Sequence, residues 1–198
     1  MKKLIILCAA LLAVTAFMAS CKNSADYIDV TKETYTYAYT VTGTIKTTSV
    51  YGSDANNTTT CTYVQTLNNA TAIVSYDENK NIESNYDNYY MISINGSYTE
   101  DDTSVAKISG VNQTPSEIKG IVDNYSGDTL MFVEVDDVLW LYNYYVNKYI
   151  NIGEQSIGGK KFELKFTDNS YEVRKAADDT SIDTCVIEYD LTFTKGLD

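Results

Sequence analysis

Acidic side chains are the residues of this sequence best suited to chemistry. Two carboxyl groups can cleave a glycosidic bond, one as general acid and one as nucleophile or base. The candidates stand in short clusters: Glu100, Asp101, Asp102, Asp136, Asp137, Asp178, Asp179 and Asp183. Such clusters are typical of turns, where Asp accepts hydrogen bonds from nearby backbone. The sequence therefore leaves carboxylate-based glycan hydrolysis as an alternative function and predicts no specific catalytic residue.

A calcium loop is the second chemical possibility. Asp77, Asn79 and Asn81 alternate as oxygen ligands do in an EF-hand. Ile82 then occupies the place that needs Gly, and Asn88 the place that needs a bidentate Glu. A further oxygen-rich cluster spans 178–183. Neither pattern is complete, and we predict no metal ligand.

Several catalytic classes are excluded by composition. Histidine is absent, which removes His-based triads and His-containing metal sites. Arg174 is the only arginine. The Ser116–Lys119 spacing matches the start of a Ser-x-x-Lys motif, but no Lys-Thr-Gly accompanies it. Gly158–Lys161 lacks the earlier glycine of a phosphate-binding loop. We expect no cofactor, and the protein is more consistent with a binding module than with an enzyme.

The first twenty residues have the layout of a signal peptide. Lys2 and Lys3 precede an apolar run from Leu4 to Ala19, and small residues end it. A membrane-spanning helix needs about 20 apolar residues and different flanking charges. A permanent transmembrane helix and an ordinary secretory signal are the alternatives.

The end of this run, Met18-Ala19-Ser20-Cys21, resembles the lipobox of bacterial lipoproteins. The resemblance covers only the start of the chain. It implies cleavage between Ser20 and Cys21, a diacylglyceryl group on the Cys21 thiol, and acylation, for example with palmitate, of the new amino group. Two or three acyl chains anchor a protein stably, whereas one binds only marginally. Lys22 stands where an inner-membrane retention signal would have Asp, so we expect the outer membrane, with the domain facing the periplasm or the surface.

Two cysteines remain in the mature chain. Cys8 leaves with the signal and Cys21 carries lipid, so Cys61 and Cys185 form an even pair in an exported protein. We predict a disulfide between them. The alternative is two separate buried thiols.

The chain is acidic, with a net charge of −12 that becomes more negative once Lys2 and Lys3 are removed. Nucleic acid and anionic head groups would repel it. The expected partners are the membrane, through the N-terminal lipid, and an unknown small ligand, glycan or protein.

Apolar and polar residues alternate through most of the mature chain, which indicates β-strands. Tyr35, Tyr37 and Tyr39 alternate with threonines. This tyrosine stripe suits a half-buried sheet face, or alternatively a platform for stacking a ligand or glycan. Asp136-Asp137 separates two apolar segments and predicts a hairpin. Other predicted strands cover 58–67, 71–77, 88–98 and 103–109, with turns at 52–57 and 100–102.

We therefore predict an all-β fold of about ten short antiparallel strands in a meander barrel or half-barrel, with a β-sandwich as the alternative. One short helix is expected near 114–123, because Thr114, Pro115 and Glu117 fit a helix start. The domains are a signal peptide at 1–20, a tether at 21–33 and a single β-domain at 34–198. The layout resembles lipocalin-like barrels in architecture only. The expected function is a lipid-anchored envelope protein that binds or supports something.

Overall fold

The computed structural model describes residues 34–78, 88–144, 146–171 and 181–196. Their fold is all-β, as predicted, and this part of the chain contains no helix. The strands are β1 (Thr34–Asp54), β2 (Asn57–Glu78), β3 (Asn88–Ile108), β4 (Val111–Asn112), β5 (Ser116–Val135), β6 (Val138–Asn143), β7 (Lys148–Gly153), β8 (Lys161–Asp168) and β9 (Ile182–Lys195).

One antiparallel sheet contains all nine of these strands and curls into a nearly closed barrel. Its order is β7-β6-β5-β3-β2-β1-β9-β8, with β4 paired to β3. Neighbours in sequence are mostly neighbours in the sheet, and β9 returns to pair with β1. The meander barrel is confirmed over the sandwich, and the architecture is compatible with a lipocalin-like barrel.

Several strands are longer than predicted. β1, β2, β3 and β5 have 20 to 22 residues each. The predicted strands 58–67 and 71–77 are one strand, because a bulge with Asn69 at φ 52° absorbs the break. The predicted turn at 100–102 is also wrong, since these residues pair within β3 with both β2 and β5.

The helix predicted near 114–123 is wrong. From Ser116 onward this segment belongs to β5 and pairs with β3, from Ser116 opposite Ser104 to Ile121 opposite Glu100. Gly120, at φ 85°, supplies the extra residue of a bulge between those pairings. The residues that favour a helix start contribute only a weak local preference. Hydrogen bonding to β3 contributes more, so strand pairing determines the conformation of this segment.

The barrel interior is filled by side chains. Phe193 and Phe162 stack with centroids 4.4 Å apart, and Tyr39 meets Phe162 edge-on at 5.1 Å. Phe132 of β5 meets Phe166 of β8 across the interior at 5.9 Å. Tyr39 is only 3% exposed, so this member of the tyrosine stripe is core, whereas Tyr35 and Tyr37 are more than one-third exposed.

The two ends of the sheet meet at a seam between β7 and β8 that side chains bridge. Gln155, just after β7, donates from Nε2 to the carbonyl of Ile152 and accepts at Oε1 from the backbone N–H of Lys165 in β8, at 2.8 Å. Its amide therefore replaces a peptide group between the two strands. Asn143 of β6 donates to Asp168 of β8 at 2.8 Å and closes the seam at one end.

The predicted disulfide is wrong, because Cys61 and Cys185 are free thiols. Ser49 of β1 pairs with Cys61 on one side and with Cys185 on the other. The two cysteines are thus separated by a whole strand, about 10 Å at the usual strand spacing. A disulfide needs Cα atoms within about 7 Å.

The predicted signal peptide, Ser20, Cys21 and the tether lie outside the described residues, as do Asp178 and Asp179. Within the described ranges, no helix is long and apolar enough to cross a bilayer.

Candidate functional site

A carboxylate buried at the seam is the centre of the candidate site. Asp168, the last residue of β8, is 2% exposed. Phe162, Leu164 and Phe166 alternate inward along β8, and the same alternation carries Asp168 into the barrel. An aspartate in an apolar row is unusual, because burying a charge costs several kcal/mol unless it is paired.

Hydrogen bonds hold Asp168 in this position. Its Oδ1 accepts from the backbone N–H and the hydroxyl of Ser170, at 2.9 and 2.6 Å. This is the local Asx-turn that favours Asp at the end of a strand. Its Oδ2 accepts from Asn143 Nδ2, which also contacts Ser170 Oγ at 3.1 Å. All three residues are less than 9% exposed. The turn depends only on residues next to Asp168 in the sequence. The contact with Asn143 forms because the barrel closes and brings β6 near β8.

A shallow cavity of about 50 Å³ opens beside Asp168. We call it the Asp168 pocket. Its polar and aromatic lining consists of Asp168, Asn143, Thr129, Tyr142, Tyr144, Tyr171 and Tyr189. A drug-sized ligand needs roughly 300 Å³ or more. The pocket therefore suits a compact group, or the tip of a larger partner that rests on the surface.

Two exposed tyrosines lie at or beside the pocket. Tyr144, in the β6–β7 turn, is 71% exposed, and Tyr149 on β7 is 58% exposed. Tyr149 packs against Tyr142 with ring centroids 4.9 Å apart. Large aromatic side chains with this exposure are typical of contact surfaces. The pocket thus has a buried charged floor and an accessible aromatic rim.

A second polar group lies on the barrel-facing side of β2 and β3. Tyr63, Tyr98 and Glu100 interact there, and we call them the Glu100 cluster. Burial first, then hydrogen bonding to Tyr98 and the charge of Glu100, raise the pKa of the Tyr63 phenol above its usual value. Asp102 lies two residues along β3 and points to the same face, about 7 Å away along the strand.

A third polar group ties the sheet together. Tyr90 donates to Glu134 Oε2 at 2.9 Å, and Asn88 donates to the same oxygen at 2.7 Å. Tyr76 in turn donates to Asn88 Oδ1 at 2.9 Å. Burial first, and then the hydrogen bond to Glu134, raise the pKa of Tyr90. These residues cross-link β2, β3 and β5.

The structure separates most of the acidic candidates. Asp136 and Asp137 form the tight β5–β6 turn at φ 51° and 63°, and both are exposed, so this predicted hairpin is confirmed. Asp183 is exposed on β9. Asp101 alternates with Glu100 and Asp102 and points to the opposite face of β3. Among the described candidates, Glu100 and Asp102 are the two that lie on the same face of one strand. Across the described ranges, no three Cys, Asp or Glu side chains converge as a metal site would require.

Sequence reasoning missed Asp168 and Asn143 as site residues. A signal for Asp168 was present, because the inward alternation of β8 continues unbroken to it. No comparable signal marks Asn143, whose role depends on which strands meet at the seam.

No protein-family model, curated protein or solved structure matches this chain.

Proposed function

We propose that this chain is a lipid-anchored lipoprotein of the bacterial cell envelope, held at the outer membrane through Cys21. In this account the barrel is a binding or interaction module that works at its surface rather than through an interior ligand cavity. The lipobox-like sequence supports the anchor. The filled core and the exposed tyrosines around the Asp168 pocket support the binding role.

The observation that carries the binding role is the contrast between the barrel's interior and its rim. Phe132, Phe193 and Leu164 are fully buried inside, whereas Tyr144 and Tyr149 are more than half exposed beside a buried carboxylate. A small-ligand carrier would keep its aromatic groups around an interior space. A module that engages a partner from outside presents them on the rim.

Metabolic labelling with a fatty acid tests the anchor. The wild-type chain should take up label and fractionate with membranes. Cys21→Ala should abolish both, while the matched control Cys61→Ala should keep both. Label that persists in Cys21→Ala would overturn the assignment of the anchor.

A second candidate function is carboxylate-based glycan hydrolysis, which the Glu100 cluster favours. Glu100 and Asp102 share a face at a spacing within the range of about 5 to 10 Å used by acid pairs. Glu100→Gln should abolish the release of reducing ends from purified cell-wall glycan strands. Asp101→Asn, on the opposite face, should leave it unchanged. Equal release by both variants and wild type, or none by wild type, would exclude this candidate.

A further inference from the structure

We propose that the Asp168 pocket binds the ammonium head of an organic cation, with the Asp168 carboxylate opposite the charge and tyrosine rings around it. This inference rests on the proposed binding role and names the chemical class of its ligand.

The floor of the pocket carries the carboxylate of Asp168. Asp168 accepts three hydrogen bonds from neutral groups, and none of them neutralises its charge. Among the described residues, no lysine ammonium lies within ion-pairing distance of this carboxylate. A buried carboxylate in this setting gains most from a cation that enters the pocket.

The Asp168 carboxylate has an acceptor position left over. A carboxylate oxygen can accept two hydrogen bonds. Oδ1 already accepts two, from Ser170, whereas Oδ2 accepts one, from Asn143. Asp168 also lines the cavity. One acceptor position of Oδ2 is therefore not filled by any described residue.

Tyr142, Tyr144, Tyr171 and Tyr189 line the same cavity. The faces of aromatic rings attract cations, and aromatic side chains are the usual means of recognising quaternary ammonium groups. A volume of about 50 Å³ with an open mouth admits a compact head and leaves the rest of the ligand outside. The net charge of −12 further favours a cation over an anion.

Two sources supply this head group, a choline-type quaternary ammonium and the primary ammonium of a lysine side chain. The test is equilibrium dialysis of the full chain, purified in a maltoside detergent that carries no ammonium group. The probes are radiolabelled choline, Nα-acetyl-lysine amide, and 3,3-dimethyl-1-butanol, the neutral isostere of choline.

At least one cation should bind about tenfold or more tightly than the neutral isostere. Tighter binding of choline indicates a quaternary head group, and tighter binding of the lysine amide indicates a peptide source. Asp168→Asn should remove the preference for charge. Because that variant can also weaken the turn at Ser170, Tyr144→Ala provides the second test. It should weaken cation binding about fivefold, whereas Tyr144→Phe keeps the ring and the affinity.

Tyr51→Ala is the matched control, since Tyr51 is 49% exposed near the β1–β2 turn and does not line the pocket. Equal affinity for choline, the lysine amide and the isostere would overturn the inference, as would equal loss of affinity in Tyr144→Ala and Tyr51→Ala. The dialysis does not depend on acylation. A missing ammonium preference would therefore leave the anchor intact, and missing label on Cys21 would leave the pocket intact.

Discussion

Replacing Gln155 tests how the barrel is closed. Gln155 bridges the peptide groups of β7 and β8, because its side-chain amide bonds both Ile152 and Lys165. Gln155→Ala removes both hydrogen bonds. Each is worth about 0.5–1.5 kcal/mol net, so the free energy of unfolding should fall by about 1–3 kcal/mol. For a domain of this size, each kcal/mol lowers Tm by roughly 2–4 °C.

Hydrogen exchange at single amides provides the sharper measurement. The Lys165 N–H points to the seam, so the N–H groups of Leu164 and Phe166 point the other way, toward β9. Gln155→Ala should accelerate exchange at Lys165 and leave Leu164 and Phe166 protected. Gln155→Glu keeps the acceptor oxygen and should keep Lys165 protected.

The matched control is Gln113→Ala, which removes an exposed amide in the β4–β5 connection and should change neither Tm nor exchange. If Lys165 exchanges at the same rate in wild type and Gln155→Ala, the side-chain amide does not close the barrel and our reasoning fails.

Three further substitutions test the core, the polar network and a close approach of strands. Phe193→Ala should lower the free energy of unfolding in urea by about 3–5 kcal/mol, because Phe193 is fully buried against Phe162; a loss under about 1 kcal/mol would contradict a filled interior. The pKa of Tyr90 is raised in the folded protein above 10.0, the ordinary value for Tyr, so folding favours the neutral phenol. The free energy of unfolding should therefore fall as the pH rises above 10.0. Tyr90→Phe should reduce that slope, and an unchanged slope in alkaline denaturant titrations would refute the assignment. Gly43→Ala would bring its Cβ against the Asp190 carbonyl oxygen, whereas nothing lies within 4 Å of a Cβ at Gly153. Gly43→Ala should therefore destabilise the protein by about 1–3 kcal/mol more than Gly153→Ala, and equal thermal shifts would show that β1 and β9 adjust freely.

The alternation of side chains was sufficient to predict the all-β class, the meander and the Asp136-Asp137 hairpin, because period two is a local property of a strand. Strand length was not predictable in the same way. Asn69 and Asp101 lie where the sequence predicts a break between strands. Asn69 instead lies in a bulge of the continuous strand β2, and Asp101 pairs with residues distant in sequence. The segment after Pro115 is a strand for the same reason.

The order in which strands pair could not be predicted from the sequence either. The alternation along each strand shows which face Cys61 and Cys185 occupy. It does not show that β1 lies between them, because that depends on the order of strands in the sheet. The candidate site likewise combines residues that a local pattern reveals with residues that only the assembled sheet brings together. Asp168 could have been found from the inward pattern of β8, whereas Asn143 and the pocket tyrosines come together only when the seam closes.

The account depends most on the anchor, and the intact mass of the protein isolated from growing cells tests it directly. We predict a chain that starts at Cys21 and carries the added mass of a diacylglyceryl group. An unmodified chain that still contains residues 1–20 would contradict the account.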